Sequence, residues 1–169
     1  MTVIIANIID LIAAGIQVAS GSIRQKAKIL VVQIVQLLLQ GVSMLLLGGI
    51  TGAVSNVLSC FRNYLCYKGK LSNLWKGILI AASVLLTVLL NEQGILGIIP
   101  AAVCTVYILL MDTKDAIRFK LLVTLTVLPW VVYHFALRAY VGAVVDIATI
   151  IANGVTLCQM IKEKSAKQN

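Results

Sequence analysis

The sequence predicts an all-α integral membrane protein with seven transmembrane helices arranged as a 3+1+3 parallel repeat. Three observations lead there. The chain of 169 residues is 60% apolar and only 12% charged, with a mean hydropathy of +1.01; a soluble domain carries about 45–50% apolar and about 25% charged residues. Apolar runs punctuated by charge divide it into seven segments, and a gapless shift of 90 residues lays the first three on the last three. Folded in water, such a chain would leave apolar surface uncovered, which excludes a cytosolic enzyme, a disordered chain and a secreted disulfide scaffold.

The segments are residues 2–20, 29–48, 50–67, 77–91, 95–111, 121–137 and 140–161. A helix needs roughly 20 residues to cross the hydrocarbon layer, so seven spans with tight loops use nearly the whole chain. The first run imitates a signal peptide, with Ala19 and Gly21 near a cleavage position. It lacks a basic leader and carries Asn7 and Asp10 within the apolar stretch, so it is read as a span. The connections at Gly48-Gly49 and Arg138-Ala139 are short enough to require tight turns between antiparallel neighbours. The fourth segment is short and borrows Leu71 to Trp75, with Trp75 beside Lys76 as an interfacial anchor. Pro100 and Pro129 fall in the fifth and sixth spans, where proline frees a carbonyl and permits a bend. The expected organisation is a first three-helix bundle over 1–68, a linker helix over 69–94, a second bundle over 95–162 and a cytoplasmic tail over 163–169.

Charge sets the orientation. Alternate connections hold Arg24, Lys26 and Lys28, then Lys68, Lys70 and Lys76, then Lys114, Arg118 and Lys120, and the tail adds Lys162, Lys164 and Lys167. Twelve of the 14 basic residues therefore share one side. By the positive-inside rule that side is cytoplasmic. The reading is a multi-pass protein of the inner or plasma membrane, N-terminus outside and C-terminus inside. The net charge of +8 is assigned to cytoplasmic loops rather than to nucleic-acid binding.

The repeat aligns more than hydropathy. Gly52-Ala53-Val54 falls on Gly142-Ala143-Val144, Asn56 on Asp146, Ser59 on Thr149 and Asn63 on Asn153, while Arg24 meets Lys114 and Lys28 meets Arg118. At about 100° per residue, positions i, i+3, i+7 and i+10 share an arc of roughly 80°. The third span carries Asn56, Ser59, Asn63 and Cys66 on that spacing, and the seventh carries Asp146, Thr149, Asn153 and Thr156. The first has Asn7, Asp10 and Gln17 on one face, and the second has Gln33, Gln36, Gln40 and Ser43. Amides and hydroxyls glue membrane helices together at about 0.6–2 kcal/mol each. Four aligned polar faces exceed that need and point to a hydrated pathway. Asp146, a carboxylate deep in the last span, pairs, titrates or meets a substrate, and Asp10 is treated alike. Arg62 is close enough to a helix end to snorkel.

His134, the only histidine, has no acid or thiol cluster beside it, so no metal is expected. With Trp130 it forms an i, i+4 pair suited to an aromatic wall. The cysteines Cys60, Cys66, Cys104 and Cys158 form no CxxC and are read as packing residues. No Walker loop, HExxH or GxSxG is present. No enzyme activity, catalytic residue or cofactor is therefore expected.

With its 3+1+3 pattern and short length the chain resembles the SWEET, SemiSWEET and PQ-loop transporters, a parallel-repeat architecture. In sequence it more closely resembles a bacterial inner-membrane YgjV-type family, best over Gly52 through Arg62 and over Pro100 through Asn153, including Trp130, Phe135, Gly142 and Asp146. The first resemblance implies alternating access, with asparagines of the third and seventh helices at the substrate site; Asn63 and Asn153 are the positions to carry over. Hinge prolines do not follow that pattern, since Pro100 and Pro129 align with Asp10 and Leu39. The expected substrate is a sugar or other small polar metabolite. Asn63, Asn153, Ser59, Thr149, Gln36, Trp130 and His134 would bind it, and Asp146 and Asp10 would couple a proton or sodium. Partners are the bilayer, the solute and a second copy of the chain. The alternatives are a PnuC-like vitamin or nucleoside transporter and a non-transporting scaffold or assembly protein.

Overall fold

The computed structural model describes residues 2–47, 50–90, 94–136 and 140–166. The described residues form α1 (Thr2–Ser20), α2 (Lys26–Leu46), α3 (Ile50–Tyr67), α4 (Asn73–Leu90), a 3-10 turn (Gly94–Gly97), α5 (Ile98–Leu110), α6 (Ala116–Ala136) and α7 (Tyr140–Ala166), with no strand among them. The predicted turns at Gly48-Gly49 and Arg138-Ala139 lie outside the described residues.

Helices α1 and α3 begin and end where hydropathy puts them. Others run longer because charged residues at a helix end keep the backbone helical while their heads reach water or the carbonyls of a neighbouring loop. Thus α2 opens at Lys26 and α6 at Ala116, and α7 continues to Ala166 through much of the expected tail. Helix α4 opens at Asn73 and takes in Trp75.

Local chemistry sets several boundaries. The Trp75 N–H donates to Ser72 Oγ at 3.4 Å ahead of α4. The N–H groups of Ile117 and Arg118 donate to Asp115 Oδ1 at 2.8 and 3.3 Å, an N-cap for α6. Those two donors hold the Asp115 carboxyl below the usual carboxylate range. At the other end of α3, Gly69 takes φ +66°, Lys70 N–H reaches Leu65 O at 2.8 Å and Gly69 N–H reaches Cys66 O at 3.0 Å. That is a Schellman stop, which favours glycine at the left-handed position. Pro100 sits in the first turn of α5, where its missing N–H costs nothing. Pro129 is interior to α6 and leaves Leu125 O without its usual helical donor.

Each helix packs on the next in sequence, α1 also meets α7, and α2 touches α6. In the first half α2 lies against both α1 and α3, and in the second α6 lies against both α5 and α7. Small residues permit the close approaches. Helix α1 buries only Ala6, Ala13 and Ser20, spaced seven apart. A β-carbon added at Gly41 of α2 would lie 3.6 Å from Asn56 Cβ. The main apolar core joins Ile29 and Leu30 of α2, Tyr107 of α5, Met111, and Phe119, Leu122 and Val123 of α6.

Outside this core the surface is apolar: Leu11 is 71% exposed and Val88 73%. Water would not tolerate such a surface. Among the described residues, Thr2–Ser20, Lys26–Leu46, Ala116–Tyr133 and Gly142–Ala166 are long and apolar enough to cross a membrane, while Asn73–Leu89 and Ile98–Leu110 are shorter apolar helices. The short α5 is extended by the 3-10 turn before it. The polar α3, interrupted by Asn56, Arg62 and Asn63, belongs to neither group.

Candidate functional site

Two polar clusters and a set of lysine contacts lie between the helices. The first joins α1, α2 and α7. Gln17 Nε2 donates to Asp146 Oδ1 at 3.0 Å. Gln36 Nε2 donates to Gln17 Oε1 at 3.0 Å and, more weakly, to Gln40 Oε1 at 3.4 Å. Asp146 is thus bonded by Gln17 of α1, which Gln36 of α2 holds in turn. Below it on the same face, Thr149, Asn153 and Thr156 are all buried. The two threonine hydroxyls donate to carbonyls of their own helix, Val145 O at 2.8 Å and Ala152 O at 3.0 Å. Asn153 differs: it is 1% exposed, and neither Nδ2 nor Oδ1 has a hydrogen-bond partner. Gly21 presses on this region; a β-carbon there would lie 2.5 Å from Ala152 Cβ and 3.1 Å from Asn153 N.

The second cluster joins α2, α3, α4 and α5. Gln33 Oε1 accepts from Asn63 Nδ2 at 3.2 Å and from the Tyr107 hydroxyl at 3.0 Å. Arg62 Nε donates to Asn63 Oδ1 at 3.2 Å, and its NH1 to Cys104 Sγ at 3.4 Å. The guanidinium carbon stands 4.6 Å from the Tyr107 ring centroid. Ser83 extends the chain to Cys104 at 3.5 Å. Arg62, expected to snorkel, is instead buried at 9% exposure, because α5 offers it a ring face and a thiol.

The lysine contacts tie the halves together at the basic end. Lys120 of α6, fully buried, places Nζ on three carbonyls at and just past the end of α1: Ser20 O at 3.2 Å, Gly21 O at 2.5 Å and Ile23 O at 2.9 Å. A helix C-terminus favours such a cation. Reciprocally, Lys26 of α2 donates to Thr113 O at 2.8 Å and stands 5.1 Å from the Phe119 ring centroid. Arg24 pairs with Glu163 at 2.6 Å and donates to Gln159 at 2.9 Å. Lys76 pairs with Asp112 at 2.7 Å, and that donation holds the Asp112 carboxyl below its ordinary value.

Among the sequence-derived candidates, Asp146, Thr149, Asn153 and Gln36 gather at the first cluster, and Asn63 belongs to the second. No hydrogen bond among the described residues joins Asn63 to Asn153. Ser59 is half-buried on α3, and Asp10 is exposed on α1. Trp130 is half-buried and meets Tyr133 edge-on with ring centroids 5.5 Å apart. The His134 side chain lies outside the described ones. Tyr107 was not singled out by sequence, Cys104 was read as a packing residue and Lys120 as a cation of a cytoplasmic connection. The one signal for Lys120 was its place beside Phe119 and ahead of Leu121-Leu122-Val123. Among the described residues no three of His, Cys, Asp or Glu gather as metal ligands would.

The family model Imp-YgjV, described as a bacterial inner membrane protein, matches residues 4–164. Neither the curated proteins nor the solved structures contain a match to the chain.

Proposed function

The chain belongs to the Imp-YgjV family of bacterial inner membrane proteins, and from that premise we propose that it is a multi-pass transporter of a small polar solute. It works by alternating access between α1–α3 and α5–α7, with α4 as the link. Asn153 carries the reading. A buried amide with both polar atoms unpaired costs about 1–3 kcal/mol for each group. Here the two atoms are read as kept for a ligand that supplies the missing donor and acceptor. The buried Asp146, Thr149 and Thr156 on the same face and Gln17, which donates to Asp146, give that ligand a polar surround. The substrate is a sugar or similar metabolite offering both hydroxyl donors and acceptors. Asp146 couples a proton or sodium to its movement, and no bond of the solute is broken.

The helix ends support the repeat. Helix α1 ends at Ser20 and α5 at Leu110; α2 covers Lys26–Leu46 and α6 Ala116–Ala136; α3 opens at Ile50 and α7 at Tyr140. Each pair is offset by the 90 residues that align the sequence. The lysine contacts respect the same offset, since Ile23 O and Thr113 O are repeat mates, each held by a lysine of the opposite half. The orientation proposed is N-terminus outside, with the lysine contacts on the cytoplasmic side.

The test is uptake into proteoliposomes, after a thermal-shift screen of the purified protein against sugars, nucleosides and vitamins. Asn153→Ala should weaken binding of the solute found by roughly five- to a hundredfold. Asp146→Asn should change the pH or sodium dependence of uptake. Wild-type uptake in both variants would sink the site and leave the polar faces as helix glue.

A further inference from the structure

The second cluster holds a feature that solute transport does not require. Arg62 lies on α3 five residues before its end at Tyr67, about 7 Å inside the helix terminus. It is 9% exposed. A buried cation is costly unless an opposite charge or a full set of acceptors meets it. Arg62 has no opposite charge and only part of an acceptor set among the described residues, and its unpartnered Nη2 is not sealed from solvent. The ion pairs of the described chain, Arg24 with Glu163, Lys76 with Asp112 and Lys164 with Asp115, are all elsewhere. Of the five N–H donors of a guanidinium, Nε meets an amide oxygen and one NH1 proton meets a thiol, a weak acceptor. The NH2 protons and the second NH1 proton find no acceptor among the described residues.

The unfilled edge is well held. Gln33 Oε1 fixes both Asn63 and Tyr107; Asn63 orients Nε, and the Tyr107 ring covers one face of the guanidinium. What remains is a rigid planar fork with positive charge and spare donors, the geometry that takes a carboxylate or phosphate two-pronged. Lys26 and Lys68 lie toward the same end of the bundle and add a field that draws anions in, while Lys76 there is already paired with Asp112.

We propose that the interface of α3 and α5 is an oxyanion-binding site centred on the Arg62 guanidinium, taking a carboxylate or phosphate group of a soluble metabolite or of a lipid headgroup. The site is read by binding alone and stands whether or not solute crosses the membrane. Asn63 and Tyr107 are its positioning residues.

The experiment uses the full chain in nanodiscs of phosphatidylcholine. Melting is followed while sodium phosphate or sodium acetate replaces sodium chloride at constant ionic strength. A second arm uses discs containing phosphatidylglycerol without added anion. Saturable stabilisation by phosphate or acetate identifies a soluble ligand; stabilisation by phosphatidylglycerol alone identifies a headgroup. In either arm Arg62→Gln should abolish the effect, and Arg62→Lys, which keeps charge but loses the fork, should weaken it by about tenfold or more. Arg24→Gln, at the exposed pair, should respond as wild type does. The proposal is overturned if neither anion nor lipid stabilises the wild type beyond chloride, or if Arg62→Gln responds equally. Should Arg62→Gln not fold, an unchanged affinity in Arg62→Lys overturns it instead.

Discussion

Asn153→Ala should raise the stability of the solute-free protein, against the usual outcome that a core substitution destabilises. Asn153 is 1% exposed, and its Nδ2 and Oδ1 are both without partners. Each stranded group costs about 1–3 kcal/mol, so their removal returns about 2–6 kcal/mol. Against this stands the small cavity left by three heavy atoms, about 1 kcal/mol. The net gain centres near 3 kcal/mol, which for a chain of this length is a rise of about 6–12 °C in melting temperature. The assay is thermal unfolding in detergent, followed by tryptophan fluorescence, with no candidate solute present. Thr149→Ala is the internal comparison: its hydroxyl bonds only a carbonyl of its own helix, so its melting should move by less than about 2 °C. A lower melting temperature for Asn153→Ala would refute the reasoning, since the amide would then be satisfied in the resting protein. It would no longer mark a place kept for a ligand.

Lys120→Met should destabilise by about 2–4 kcal/mol, because Gly21 O and Ile23 O lose their ammonium donor in a buried setting; unfolding in sodium dodecyl sulfate measures it. Gly21→Ala should cost about 1–3 kcal/mol by forcing α1 from Ala152, and Ala152→Gly in the same chain should restore part of the loss in the same assay, because Val18 O and Asn153 N still stand 2.9 and 3.1 Å from the added carbon. The depressed Asp112 carboxyl stabilises the fold above the ordinary carboxylate value, and that contribution disappears as pH falls through the folded value. At an exposed pair it amounts to about 0.2–1 kcal/mol, and Lys76→Met should flatten that part of the stability profile between neutral and acid pH. A reporter fused after Asn169 should read cytoplasmic and one before Met1 external; a cytoplasmic N-terminus would undo the seven-span orientation.

How far sequence reached depends on what each signal measures. Hydropathy reports burial in lipid, so it located α1 and α3 closely and clipped α2, α6 and α7 where Lys26, Lys120 or Lys162 carries charge on a helical backbone. Helical spacing reports shared faces, so the buried run of Asp146, Thr149, Asn153 and Thr156 was legible on α7. On α1 the same spacing grouped Asn7, Asp10 and Gln17, yet Gln17 turns to Asp146 while Asp10 is exposed. Spacing along one helix cannot say which neighbour arrives. For the same reason Arg62 looked free to snorkel: the Tyr107 ring that captures it comes from a segment 45 residues away. Lys120 reads as one more loop cation until the carbonyls of residues 20 to 23 are brought beneath it.

The crossed lysine contacts bear on how the chain is made. Synthesis proceeds from the N-terminus, so the carbonyls of Ser20, Gly21 and Ile23 emerge about a hundred residues ahead of the ammonium that fills them. A carbonyl at the edge of the bilayer can wait, hydrated, at little cost. Lys120 can be buried only once those carbonyls are there, since every acceptor it uses among the described residues belongs to α1 and the loop after it. The two halves are therefore unequal during biogenesis, however alike their helices. The early half can rest in the membrane with its acceptors wet, whereas the late half can bury its α6 charge only onto a partner already in place. Order of insertion is written into the position of one lysine.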